Sequence, residues 1–193
     1  MRSPATVLRC LFVLATLSLL AACASGPRIS VEADPQADFS TYRTFGFYAP
    51  LALESKGYAT PTSERVKAAT RAQLEARGYR YQERDPDVWI NLNGYLQERT
   101  DVQVIPEVDY DYYYSYRARA YIAAPYWRDR TTVRRFTEGT LNIDVIDRAR
   151  NHLVWEGVAV GRVGRMPVEE RLARIDQVVA EILARYPPRS AAP

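Results

Sequence analysis

Two kinds of hydrophobic spacing divide the chain from residue 28 onward. Arg28 to Ala33 sets Ile29, Val31 and Ala33 against Ser30 and Glu32, the period of a strand. Asp34-Pro35-Gln36-Ala37-Asp38 is a turn cluster, and Thr44 to Tyr48 puts Phe45 and Phe47 on one face of a second strand. Pro50 to Tyr58 reads as loop. Thr60-Pro61 then opens a helix, with Thr60 as cap and Pro61 at the first helical position. Val66, Thr70 and Leu74 form its narrow stripe, and Gly78 stops it. After the turn Asp85-Pro86-Asp87, the series Val88, Ile90, Leu92, Gly94 and Leu96 alternates with Trp89, Asn91, Asn93, Tyr95 and Gln97, a long half-buried strand. Thr140–Ile146 and Leu153–Val160 are two further strands joined by the polar connection Asp147–Asn151, an antiparallel hairpin. Pro167 begins the last helix. Val168, Leu172, Ile175, Val179, Ile182 and Tyr186 recur at helical spacing, and Pro187-Pro188 ends it. The order β-β-α-β-loop-β-β-α predicts an α+β fold: a two-layer sandwich of about five mainly antiparallel strands with two helices on one face.

The N-terminus carries a different pattern. Arg2 and Arg9 precede an apolar run from Cys10 to Leu20, shorter than the roughly 20 residues a membrane span needs. It has the length of a secretory signal. Leu20-Ala21-Ala22-Cys23 closes it and resembles the lipobox of bacterial lipoproteins. That resemblance implies removal of residues 1–22, with cleavage between Ala22 and Cys23. It also implies a diacylglyceryl thioether on the Cys23 sulfur and acylation of its freed amine. Two or three acyl chains hold a protein firmly on a membrane, at about 0.8 kcal/mol per buried methylene. Ala24, where an Asp commonly retains such proteins at the inner membrane, favours the periplasmic face of the outer membrane. The tether before Arg28 reaches only ~15 Å, so the domain is expected close to the headgroups.

Composition narrows the chemistry. Cys10 and Cys23 are the only cysteines, so the processed chain can form neither an internal disulfide nor a cysteine metal site. Without Arg2 and Arg9 the balance is 24 basic to 23 acidic residues, and nucleic acid is a poor partner. No HExxH, P-loop, GxGxxG or Ser-His-Asp series appears, so no cofactor, metal or catalytic residue is assigned. His152, alone of its kind, reads as a solvated turn residue. The carboxylate pairs Asp144/Asp147 and Glu98/Asp101 could do acid–base work only if held together, and read instead as turn and surface residues.

A series of short motifs supports a comparison. Asp38-Phe39-Ser40-Thr41-Tyr42-Arg43-Thr44-Phe45 is followed by Ala76-Arg77-Gly78-Tyr79 and Asp85-Pro86-Asp87. Then come Glu138-Gly139-Thr140-Leu141-Asn142-Ile143-Asp144, Leu153-Val154-Trp155-Glu156-Gly157 and the closing Tyr186-Pro187-Pro188. In this order behind a lipobox, the set resembles the bacterial lipoprotein family called domain of unknown function 4136, over nearly all of the processed chain. The resemblance implies an envelope location and an α+β domain; the pattern along the chain bounds that domain at 28–187 and leaves a disordered tail expected at 188–193. It implies no activity and no catalytic residue.

One segment, 107–135, fits none of these motifs. Seven of the 14 tyrosines fall between Asp109 and Trp127. Tyr110, Tyr112, Tyr113, Tyr114, Tyr116, Tyr121, Tyr126 and Trp127 interleave with Arg117, Arg119 and Arg128. Tyr and Arg are favoured at recognition surfaces, where flat rings stack on sugars and guanidinium pairs with phosphate or carboxylate. The alternative is a hairpin excursion whose tyrosines cover the open face of the sheet. The chain is therefore expected to be a non-enzymatic binding or structural protein. Its expected partners are the membrane through Cys23, and another envelope protein or a cell-wall glycan. Two other readings are an envelope hydrolase or transferase acting on glycan or lipid, and an accessory subunit of a transport or assembly machine that offers a sheet edge.

Overall fold

The strand that starts at Val88 does not end at Gln97. In the computed structural model, which describes residues 26–188, β4 runs Val88–Ser115 and β5 runs Ala120–Asp147. The two pair antiparallel in unbroken register from Val88↔Asp147 to Ser115↔Ala120. The expected loop at 107–135 is thus strand, and the observed order is β-β-α-β-β-β-β-α. The signal segment, Cys23 and the end of the tail lie outside the described residues.

The remaining strands are β1 (Arg28–Ala33), β2 (Thr44–Phe47), β3 (Arg80–Tyr81) and β6 (His152–Val163). They complete a sheet of six strands, not five, in the order β1-β6-β5-β4-β2-β3. The unforeseen strand is β3. Gly78 turns the chain back after the first helix at φ +85°, and Arg80 and Tyr81 then pair parallel to Thr44 and Phe45. Two residues are too few to show a period. β2 also joins β4 in parallel, through Phe45↔Val88 to Phe47↔Ile90. At the other edge β1 has its expected bounds, but only Ile29 is half-buried, because no described strand pairs with its outer side.

Helices α1 (Pro61–Ala76) and α2 (Val168–Leu183) cover one face. The α1 cap is reciprocal. Ser63 N–H donates to Thr60 Oγ1 at 3.0 Å, and Thr60 N–H donates to Ser63 Oγ at 2.8 Å. Its buried stripe is Ser63, Val66, Thr70 and Leu74. From α2, Val179, Ile182 and Leu183 pack onto Phe45, Ile90, Leu92, Ile143, Val145 and Trp155. Gly157 permits this closeness, since a Cβ there would lie 2.4 Å from Ile182 Cγ2. Past the end of α2, Tyr186 is buried against the rings of Phe39, Tyr79 and Trp155, the last at 5.0 Å between centroids. Burial pushes its phenol well above the ordinary range.

Two aspartates lock the sheet. Asp87, from the Asp-Pro-Asp turn, accepts from the backbone N–H groups of Arg43 and Thr44, each at 2.8 Å, and so pins β2 to β4. Asp147 accepts from the Tyr42 hydroxyl at 2.8 Å, from Arg150 N–H at 2.8 Å and from Arg150 Nε at 3.1 Å. Burial opposes the charge on both, and these donors outweigh it, so both carboxyls titrate below the usual range.

Candidate interaction surface

β6 accompanies β5 only as far as Val163↔Thr137, and β2 accompanies β4 only as far as Ile90. From Arg99 to Phe136 the β4–β5 pair therefore stands alone as a two-stranded arm. Each strand contributes 17 residues, roughly 55 Å of extended chain. The register assigns its faces. Even-numbered residues of β4 and odd-numbered residues of β5 share the side that the helices cover lower down, as buried Ile90, Leu92, Ile143 and Val145 show.

Along the arm, that side carries the cross-strand pairs Val102/Val133, Val104/Thr131, Pro106/Asp129 and Val108/Trp127. Tyr110/Pro125, Tyr112/Ala123 and Tyr114/Tyr121 follow toward the tip. It is apolar and solvent-exposed: Val104 is 56% exposed, Tyr112 67% and Trp127 74%. The opposite side holds Asp101/Arg134, Gln103/Thr132, Ile105/Arg130, Glu107/Arg128 and Asp109/Tyr126. Its charges pair with one another, Arg130 Nε with Glu107 at 2.8 Å and Arg128 Nε with Asp109 at 3.1 Å. The arm is amphipathic along its whole length.

The sequence-predicted contact residues are thereby sorted. Tyr110, Tyr112, Tyr114, Tyr121 and Trp127 lie on the apolar side. Tyr113, Tyr126 and Arg128 lie on the charged side. Tyr116, Arg117 and Arg119 form the tip, where Arg119 has φ +50°. Tyr114 meets Tyr116 and Tyr121 edge-on at 5.2 and 5.3 Å. None of these tyrosines covers the open face of the sheet, because the arm extends beyond the sheet instead of folding over it. Val102, Val104, Val108 and Val133 belong to the same surface, although no motif marks them in the sequence. Their signal was the period-two alternation that resumes at Val102 after the polar stretch Glu98-Arg99-Thr100-Asp101.

A groove of about 1160 Å³ lies at the base of the arm, between the sheet and the N-terminal halves of both helices. Its floor is hollowed by small residues on three adjacent strands, Gly94, Gly139, Ala159 and Gly161. Leu96, Val163, Ile175 and Val178 line the walls. Lys56, Arg162, Arg165, Arg171 and Arg174 are the charged residues that line it. No carboxylate lines the groove, and none of these five cations makes a salt bridge within the described residues.

The candidate acids do not converge. Glu98 and Asp101 point to opposite faces of β4, and Asp144 and Asp147 to opposite faces of β5. Asp144 accepts from Asn91 Nδ2 at 3.0 Å on the helix-free face, where burial and then the Glu156 charge raise its pKa against that bond. His152 opens β6, its side chain 61% exposed, 3.7 Å from Asp34. Among the described residues no group of three His, Cys, Asp or Glu is placed to hold a metal.

The model of the domain of unknown function DUF4136 matches residues 29–188 of the chain. The chain belongs to the DUF4136 family. A DUF4136 protein of Bacteroides thetaiotaomicron shares the fold at a TM-score of 0.52 and 13% identity, over 86% of this chain and 98% of that one. A PDZ domain protein of Parabacteroides distasonis aligns at a TM-score of 0.45 and 15% identity, over 90% of this chain, which spans 40% of that protein. A PelC dodecamer of Paraburkholderia phytofirmans aligns at 0.45 and 11% identity, over 86% of this chain and 99% of that one. None of the curated proteins matches this DUF4136 chain in sequence.

Proposed function

We propose that the protein is a lipid-anchored, non-enzymatic binding or structural module of the bacterial outer membrane that faces the periplasm. In this reading Cys23 attaches it, the sheet–helix sandwich is the rigid mount, and the arm from Arg99 to Phe136 is the contact surface. The arm carries the reading. A lone two-stranded ribbon is at best marginally stable in water. One that exposes a continuous apolar side along seven cross-strand pairs is a surface built to be covered. The hydrolase reading lacks comparable support, since its candidate acids sit on different faces and none of them lines the groove.

The test is crosslinking in intact envelopes, comparing the native chain with a variant in which a two-residue Asn-Gly turn replaces residues 99–136. The native chain is expected to carry acyl mass on Cys23 and to sediment with membranes. The shortened chain is expected to keep its thermal unfolding transition and to lose its crosslinked neighbours. Retention of every neighbour by the shortened chain would remove the arm from the role given to it here.

A further inference from the structure

We infer that the arms of several copies of this chain pair edge to edge and close into a β-barrel spanning the membrane that holds Cys23. This deepens the reading of the arm as contact surface and rests on the lipidation of Cys23. Three independent features meet at one end of the molecule.

The first is direction. β1 and β5 are both antiparallel to β6, so β1 runs with β5, which returns from the tip of the arm. The chain therefore enters Arg28 from the tip side. Arg28 lies level with Val160, Thr140 and Tyr95, next to the base of the arm. Cys23 is five residues upstream, at most roughly 18 Å along the chain. The arm extends roughly 55 Å the same way. With the Cys23 acyl chains in one leaflet, the outer two thirds of the arm lie at bilayer depth.

The second is charge. The cations around the groove, without carboxylate partners, sit at this same end and suit an anionic headgroup layer.

The third is the pattern of the arm. From Val102 to Tyr114 the apolar side runs roughly 40 Å along the strand, or roughly 28 Å of height at a tilt of about 45°. That matches the lipid-facing band of a membrane barrel, with Tyr110, Tyr112, Tyr114, Tyr121 and Trp127 in its distal half as interfacial aromatics. Asp129 is the one charged side chain in this band, and an acid costs a lipid face less than Lys or Arg. The other side carries self-paired charges, as a water-filled lumen requires. A strand edge cannot stay unpaired in hydrocarbon, so one arm cannot cross alone. Among the described residues the outer edges of β4 beyond Ile90 and of β5 before Thr137 carry no neighbouring strand. The β5 edge of the next copy supplies the partner for β4. Membrane barrels begin at about 8 strands, which sets a minimum of about four copies.

The full lipidated chain, reconstituted in vesicles of phosphatidylethanolamine and phosphatidylglycerol, tests this. Single cysteines are placed by Gln103→Cys, Val104→Cys, Glu107→Cys and Val108→Cys, and each carries an environment-sensitive fluorophore. Brominated acyl chains are expected to quench the probes at 104 and 108 and to spare those at 103 and 107. Crosslinked ladders should extend past the dimer, and an encapsulated dye should leak. Val108→Arg should reduce that leakage at least 10-fold while the unfolding midpoint of the domain stays unchanged. Equal quenching at all four positions, or ladders that stop at the monomer or dimer, would overturn the barrel. If those results came with loss of other envelope neighbours on shortening the arm, the barrel would fall and the contact role would stand. An unmodified Cys23 thiol would remove the basis of both.

Discussion

The lower and upper halves of β4 and β5 have the same backbone, the same register and the same alternation, yet opposite surroundings. Below Leu96 the apolar side meets α1 and α2, and Leu92, Ile143 and Val145 are sealed from water. Above it no described residue covers Val102, Val104, Val108 and Trp127. A period-two pattern thus specifies which side is apolar but not what the apolar side meets. In the domain the occupant is encoded in the same chain. In the arm no described residue supplies it, and under the proposed function the occupant is a partner or a bilayer.

The sharpest way to break this contrast is matched truncation. Leu92→Ala or Ile143→Ala should destabilise the domain by about 2–5 kcal/mol, through lost burial and the cavity left behind. Val104→Ala should change it by less than ~0.5 kcal/mol, since its side chain is already wet. Denaturant unfolding of both variants checks this, and a cost at Val104 equal to that at Leu92 would mean the arm is packed in the free chain. Next in size is the buried lock. Asp147→Ala strips the Tyr42 hydroxyl of its acceptor and should cost about 1–3 kcal/mol, more than Tyr42→Phe.

Acid sharpens the same distinction. Asp87 and Asp147 titrate below the ordinary range, so the stability they contribute is complete above the unfolded aspartate value of about 3.9. It is lost as pH falls through their lower folded values. The double variant Asp87→Asn/Asp147→Asn should show a flatter acid limb in a melting-temperature profile. An unaltered limb would exclude both locks as its origin. The smallest effect has the opposite sign. Asp144 is raised by burial, so its ionised form opposes folding at neutral pH. Asp144→Asn should raise the midpoint slightly at pH 7, and the gain should vanish as pH falls through the raised value.

Most of the domain was legible in short windows. Thr60 and Pro61 announced α1, Gly78 ended it, and the apolar spacing from Val168 to Tyr186 marked α2. These signals are local: a cap, a positive φ and a stripe repeat within a few turns. β3 was not legible, because Arg80 and Tyr81 are strand only by virtue of pairing with Thr44 and Phe45. The arm was legible in composition and misjudged in form. Its abundance of Tyr and Arg marked the segment, while the polar stretch Glu98–Asp101 interrupted the alternation and made the strand look finished.

The sequence by itself determined the family, the α+β class, the starts of both helices and the sidedness of the strands it marked, because each depends on side chains a few positions apart. The tertiary structure decided the six-strand order, the lock of Asp147 on Tyr42, the hollow beneath α1 and α2, and the reach of the arm past the sheet. All four depend on where β2, β6 and the helices come to rest. That placement is fixed by contacts among residues far apart in the chain, and no local period records it.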